Sequence, residues 1–377
     1  MSHFLSGQIG DDLKSFHDLA ERFAKKELEP KALDHDHYPY GEFNSAALKT
    51  AQETGLLNLI LPEALGGAGQ GMAALAVVLA ALAEADAGFA SVIFVHALAQ
   101  AAIAKWADKQ TAEKCLRQAG GPPALLAFPA YAPPAELPLG VKAEKNHGGF
   151  LLNGKFNFLP LAPIAQNLIV SAEISTGKPG LFLLGKDTEG LKLSAPVLSL
   201  GLHSCPIADV ELNRVEAGPE DLLAGEGRAS AEYPGLCAGF GGPHAALSLG
   251  VLAGSYKAAV SFARDRYQGG KQIIDHDQVR LMLANMAVLL EVSAASCLSA
   301  GRAADAGNFS AAMAASAFVT DAVTRAATDG VQCLGGYGYM HDYGQEKRMR
   351  DAKQIQAMFG PSTLKRLELL AKNLSED

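Results

Sequence analysis

Two uncharged runs, Leu65–Ala83 and Ala87–Ala104, are separated only by Glu84, Ala85 and Asp86. Each approaches the ~20 apolar residues that cross a bilayer, so the chain must hide them in lipid or in its own core. Their composition favours the core. The first opens with Gly66-Gly67-Ala68-Gly69-Gln70-Gly71, the second carries His96 and Gln100, and both are rich in Ala. A lipid-facing helix would be richer in Leu, Ile and Phe. The runs therefore read as buried helices, about 70 to 86 and 90 to 105, and no transmembrane segment is expected.

A chain of 377 residues has room for two or three domains with well-buried cores. With 49% hydrophobic and 19% charged residues it is neither disordered nor fibrous. A formal charge of −8 argues against nucleic acid as partner, because neutralising phosphates needs cationic side chains. It leaves room for a local basic pocket. Cys115, Cys205, Cys237, Cys297 and Cys333 are scattered, with no CxxC pair and no zinc-ligand spacing. They read as reduced thiols of a cytoplasmic protein, with no metal site expected. The first residues lack the basic-then-apolar order of a signal peptide.

Along the chain, Leu13, Phe16, Leu19, Phe23 and Leu28 recur at helical spacing within 11–36, and a second helical stretch runs from Phe43 to Gly55. With a further helix at 109–119, the first third is α-rich. The pattern changes at Gly120-Gly121-Pro122-Pro123. Short β-type runs follow (LLAF, GFLLNGKF, NLIVSAEI, GLFLLGK, LKLSAP, DVELNRV), separated by turn residues as antiparallel strands would be. From about Asp221 the helical period returns in Pro243–Tyr267, Asp275–Ala304 and Ser310–Gly330, with a last helix near Pro361–Leu374. The expected class is α+β, mainly α: a helical domain (1–121), a small antiparallel β domain (122–219) and a C-terminal four-helix bundle (220–377).

Six local motifs occur in order within this frame. They are Leu61-Pro62-Glu63-Ala64-Leu65-Gly66-Gly67-Ala68-Gly69, Leu152-Asn153-Gly154, Leu222-Leu223-Ala224-Gly225-Glu226-Gly227, Arg266 to Ile273 with Gln278, Gln332-Cys333-Leu334-Gly335-Gly336-Tyr337-Gly338-Tyr339, and Arg350-Asp351-Ala352-Lys353. Together they resemble the LPExxGGxG, LNG, LLGxxG, RxxFGxxIxxxQ, QxxGGxGY and RDAK segments of the acyl-CoA dehydrogenase family. The resemblance runs nearly end to end. It implies FAD as cofactor, an acyl-CoA substrate, an electron-transfer flavoprotein as acceptor, and an oligomer in which two chains complete each flavin site. It also assigns cofactor binding to Arg266, Gln278, Gln332, Gly335 and Gly336. A guanidinium at a helix end offers forked donors to a diphosphate; alone it reads rather as a surface ion pair, and the motif context favours the diphosphate. A Gly-Gly pair lets backbone approach a ligand, and serves as well in a helix C-cap.

The sequence departs from the family where the chemistry should be. The family reaction needs a carboxylate beside the α-carbon and donors to the thioester oxygen. Counting from RDAK puts Phe359 at the usual Glu position. The alternative position, 26 residues before the arginine, is Phe240. Neither takes a proton. His244 is the nearest titratable side chain, with His341 and Asp342 as further candidates, although a lone His at a helix start also reads as structural. The family's TExxAGSD segment is replaced by Ala127-Phe128-Pro129-Ala130-Tyr131-Ala132-Pro133-Pro134-Ala135-Glu136, which lacks its Ser and Thr donors. Its W-[IV]-[ST] strand becomes Phe158-Leu159-Pro160, where Phe158 can still stack on a ring and Pro160 has no N–H. Gly269 replaces the Phe of RxxFG.

Three functions fit these residues. One is a flavoprotein acting on a CoA thioester with an unusual base or a Glu-independent reaction. The second is a non-catalytic subunit of a hetero-oligomer, lending Arg266, Gln278 and the Gly335-Gly336 turn to a Glu-bearing partner. The third, of another class, is a flavin-free binding or scaffolding protein.

Overall fold

A computed structural model describes residues 9–38, 41–116 and 124–376; the Gly120–Pro123 boundary lies outside them. Helix α1 (Asp11–Phe23) buries Leu13, His17, Ala20 and Phe23 on one face and runs into a wider turn at Ala24–Leu28. Helix α2 (Ser45–Glu53) starts at Asn44, whose side chain accepts from the Ala47 N–H at 3.2 Å. The two uncharged runs form the two halves of α3 (Met72–Trp106), two helices that meet at a kink with no loop between them. The charged island between them is its kink. Asp86 leaves helical geometry (φ −147°, ψ 102°), and its carboxylate accepts the Gly88 N–H at 2.9 Å, which caps the second half. A short α4 (Lys109–Leu116) follows.

The β domain is one sheet. Its strands are β1 (Leu126–Ala127), β2 (Val141–Asn146), β3 (Gly149–Pro160), β4 (Asn167–Ser175), β5 (Lys178–Gly185), β6 (Leu191–Leu193), β7 (Ile207–Ala217) and β8 (Leu222–Ala224). The order is β6-β7-β3-β2-β4-β5-β8, with β1 also on β4. Three features correct the sequence reading. First, the sheet is mixed: β1 and β2 each pair parallel with β4, because both enter from loops rather than from a hairpin with it. Second, β8 pairs with β5, so the sheet extends past residue 219. Third, Leu152-Asn153-Gly154, which matches an LNG hairpin of the resembled family, is no hairpin turn here but lies within β3, at a register shift against β7. Gly154 sits there at φ 132°, and a side chain would run into the Gly140 carbonyl.

Helices α5 (Glu226–Gly239), α6 (Gly241–Asp265), α7 (Asp277–Asp305), α8 (Ser310–Leu334), α9 (Gln345–Gln356) and α10 (Ser362–Glu376) complete the chain. Helices α6 to α9 form the bundle, and α3 packs along α6 and α7. Three helical spans among the described residues are long and apolar enough to cross a membrane. In α3 and in the α5–α6 span, 89% of the apolar window is buried within the fold; in α7 only 39% is. There Leu281, Val288 and Val292 are exposed, as is Phe318 of α8.

The RDAK helix joins all three parts. Lys347 of α9 is buried between Asp351 (2.7 Å) and Asp86 of α3 (3.3 Å). Asp351 accepts the Leu202 N–H of the β domain at 2.6 Å, and Asp86 accepts the Ser204 hydroxyl at 2.9 Å. Nearby, Arg350 donates to Asp36 at 2.5 Å, and Asp36 also meets His203 Nδ1 at 2.9 Å. Buried charges of this kind persist only when paired and hydrogen-bonded.

Candidate active site

Two cavities flank the turn between α9 and α10. The first is a groove of about 830 Å³ between the β domain and the bundle, walled by Tyr131, Phe158, Leu198, Arg325, Lys353 and Gln354 among others. Phe158 is pushed into it by a β-bulge, between the shifted pairs Phe156 and Leu159. Its backbone adopts φ 57°, its N–H donates to Asp209 at 3.0 Å, and its ring is 55% exposed. An exposed ring on a strained backbone inside a groove is a stacking surface. Pro160, two residues on, is buried and paired opposite Ile207.

The second region is the end of α6. Arg266 terminates that helix, and its guanidinium lies 5.3 Å over the Tyr337 ring, which also packs on Phe262 and Tyr343. Within one chain the Arg266 and Gly335-Gly336 motifs therefore lie side by side. Gly335 turns at φ 57°, and a side chain on it or on Gly336 would touch nothing within 4 Å, so the turn is an open cradle. Gln278 and Gln332 are exposed, Gln332 in the last turn of α8 just before the cradle. A forked cation beside an open glycine turn suits a diphosphate, and the exposed ring in the separate groove suits a planar ring system; both are parts of a flavin dinucleotide.

At both family base positions the structure places packed aromatics. Phe240, Phe94 of α3, Phe359 and His244 form one cluster: Phe94 lies 6.0 Å from Phe240, 5.9 Å from Phe359 and 6.0 Å from His244, and His244 lies 5.2 Å from Phe359. All four are buried. His244 Nε2 donates to the Ile355 carbonyl (2.9 Å), so Nδ1 accepts from the Ser316 hydroxyl (2.8 Å). Both nitrogens are occupied, and burial first, then Lys365, hold the ring neutral by pushing its pKa well down. In this geometry His244 is a packing residue. His341 and Asp342 line neither cavity; His341 faces Glu346 (3.3 Å) and the Asp36 junction. The shortened 127–136 loop is tied to the same turn: Phe359 N–H donates to the Ala130 carbonyl (2.8 Å), and Gln354 to the Tyr131 hydroxyl (2.8 Å).

The other cavity, about 300 Å³, lies on the Phe359 side of that turn. Its walls are mainly apolar, with Pro134, Pro234, Phe309, Met313 and Phe359, yet Lys365 and Glu368 of α10 also line it. Sequence reading did not single these two out, although a Lys and a Glu at i and i+3 on a helix otherwise rich in Leu was the available signal. Lys365 is 4% exposed and its ammonium donates to the Gln356 carbonyl at 3.2 Å. Burial pushes its pKa down to about 8, and pushes that of Glu368 up. A polar cavity of about 600 Å³ between α1, α3 and α6 is lined by groups already paired, including Lys347 with Asp351. His17, Asp18 and Glu21, and Asp36, His341 and Glu346, lie close enough to share an ion, but Arg350 already neutralises the second group.

Comparison with known proteins agrees with this layout. Residues 10–120 match the acyl-CoA dehydrogenase N-terminal domain and 242–374 the C-terminal domain of the same family, together about two thirds of the chain. The chain is 28% identical over 361 residues to cyclohex-1-ene-1-carbonyl-CoA dehydrogenase of Geobacter metallireducens, covering 93% of this chain and 94% of that protein. It is 29% identical over 374 residues to 3-(aryl)acrylate reductase of Clostridium sporogenes, covering 94% and 96%. The butyryl-CoA dehydrogenase structure from Megasphaera elsdenii superposes with a TM-score of 0.89 at 24% identity, covering 97% of this chain and 99% of that one. Motif order, three-part architecture and both matched domains lead to one assignment: the chain belongs to the acyl-CoA dehydrogenase family.

Proposed function

We propose that this chain is a cytoplasmic flavoprotein that holds FAD, acts on the acyl part of a CoA thioester, and passes electrons to an electron-transfer flavoprotein. The observation that carries the reading is the groove presenting Phe158, taken with the open Gly335-Gly336 turn beside Arg266. FAD bound there supplies a hydride acceptor. Arg266 would hold the diphosphate through its forked N–H groups, with Tyr337 keeping the guanidinium plane in place. The glycine turn lets the backbone close on the same group, Gln278 and Gln332 offer amide hydrogen bonds, and Phe158 offers a ring face. Phe158 lines the groove, whereas Arg266, Gln278, Gln332 and the glycine turn do not. That separation supports a cofactor site completed by two chains, with the exposed apolar faces of α7 and α8 available for their contact.

Adding short, branched and aryl acyl-CoAs to the purified chain without oxygen tests this. Bleaching of the visible flavin band supports the reading; a yellow protein that no thioester bleaches counts against it.

A second reading has its own observation. Both family base positions carry phenylalanines packed into one buried cluster with Phe94 and His244. This favours a subunit that completes the FAD site of a Glu-bearing family partner. Co-purification with such a partner, and bleaching that requires both chains, would select it.

A further inference from the structure

The apolar cavity beside Phe359 holds two charged side chains that packing does not call for. We propose that Lys365 and Glu368 are an acid–base pair standing in for the missing family carboxylate: Lys365 hydrogen-bonds the carbonyl oxygen of a short acyl thioester, and Glu368 takes the proton from the carbon beside it. The proposal rests on the reading that the chain binds CoA thioesters.

Position comes first. The two residues are three apart on α10, hence on one face, and both line the cavity that Phe359 closes. A proton acceptor there stands across the cavity wall from the family base position rather than at it. The aromatic cluster behind Phe359 limits the site to a short or compact acyl group, consistent with a volume of about 300 Å³.

Hydrogen bonding comes second. The Lys365 ammonium has three N–H groups and donates to the Gln356 carbonyl, which leaves capacity for a second acceptor. Glu368 Oε1 is enclosed with no hydrogen-bond partner, so Lys365 does not neutralise it by contact. The Ala135 N–H donates toward the same carboxylate. An enclosed polar atom without a partner costs free energy, and Leu at both positions would avoid that cost. An enclosed atom of this kind calls for a cause, and a catalytic role is one.

Electrostatics comes third. Glu368 faces Lys365 and Glu136, Lys372 also lines the cavity, and Asp321 faces Lys365 from α8. A carboxylate made more basic by burial, beside an ammonium made more acidic, is a matched acceptor and donor for enolisation. In that step the α-C–H bond breaks and its electron pair moves into the carbonyl, giving an enolate held by Lys365. The proton sits on Glu368, and its return completes an exchange in which nothing is oxidised.

Tert-butylacetyl-CoA isolates this step, since its β-carbon carries no hydrogen. The full chain is incubated with it in D2O buffer and the thioester is analysed by mass spectrometry. The expected result is deuterium at the α-carbon, slowed at least about a hundredfold by Glu368→Gln and partly restored in Glu368→Asp. Lys365→Met slows exchange as well, and thermal melts confirm that each variant folds. Exchange in Glu368→Gln as fast as in the wild type, or wild-type exchange no faster than buffer, overturns the proposal. Flavin binding is scored separately. A colourless chain that still exchanges deuterium refutes the flavoprotein reading alone, whereas a yellow, bleachable chain that does not exchange refutes the pair alone.

Discussion

Replacing Lys365 by Met should make the protein more stable at neutral pH, and the gain should fade as pH rises. Lys365 is 4% exposed in an apolar wall, and burial lowers its pKa from 10.5 to about 8. The folded value lies below the unfolded one. Between the two, the unfolded chain therefore binds more protons, and wild-type stability climbs with pH across that window. Below about pH 8 the full cost of the buried charge is present. A shift of about 2.5 pH units corresponds to about 3 kcal/mol at pH 7, falling to roughly 1.5 kcal/mol at pH 9.5. Met fills nearly the same volume, so packing losses are small and independent of pH. They cancel when the variant is compared with the wild type at the two pH values. Urea unfolding at each pH gives both stabilities, and the advantage of Lys365→Met should shrink by about 2 kcal/mol between them. An advantage that does not change with pH would refute the claim that this lysine is buried as a strained cation.

Other consequences follow from the same geometry. Arg266→Ala removes the forked donor at the glycine cradle and should lower FAD retention at least about tenfold in whichever assembly holds the cofactor, measured by flavin content after gel filtration; unchanged content would sink that assignment. Phe359→Glu places a carboxylate at the family base position, so it should raise acyl-CoA-dependent flavin bleaching while costing about 2–3 kcal/mol of stability through lost packing against His244 and Phe94; a folded, yellow variant without gain would contradict it. Arg350→Leu strips Asp36 of its cation and should cost about 3 kcal/mol or more in urea unfolding. His203→Gln should cost more at pH 6 than at pH 9, because the Asp36 hydrogen bond raises the His203 pKa and that contribution is lost as pH rises through the raised value.

What the sequence made legible was whatever depends on apolar periodicity or on backbone turns. The uncharged runs announced α3, and the Glu84–Asp86 island between them marks its kink, because a carboxylate inside a buried helix needs a local partner. Arg266 and Gly335-Gly336 stood out only through the order of motifs around them, since a helix-ending Arg and a glycine turn read by themselves as a surface ion pair and a C-cap. Strand β2 was missed because Val141–Asn146 is half charged and buries only Val141 and Ala143. Helix α9 was read only as a motif. Its buried Lys347 and Asp351 look like a solvated face until their partners on α3 and in the β domain are known. His244 was attractive as an isolated titratable group, and only tertiary structure shows both its nitrogens occupied. Lys365 and Glu368 were hidden for the converse reason: a Lys and a Glu on an amphipathic terminal helix read as surface residues until a cavity is seen beside them.

The most direct test of the whole account is the flavin content of the folded chain. The protein is purified, incubated with FAD, freed of excess cofactor, and its visible spectrum compared with its peptide absorbance. The account predicts a yellow protein approaching one FAD per chain, alone or with a family partner. A folded chain that stays colourless in both settings would contradict it.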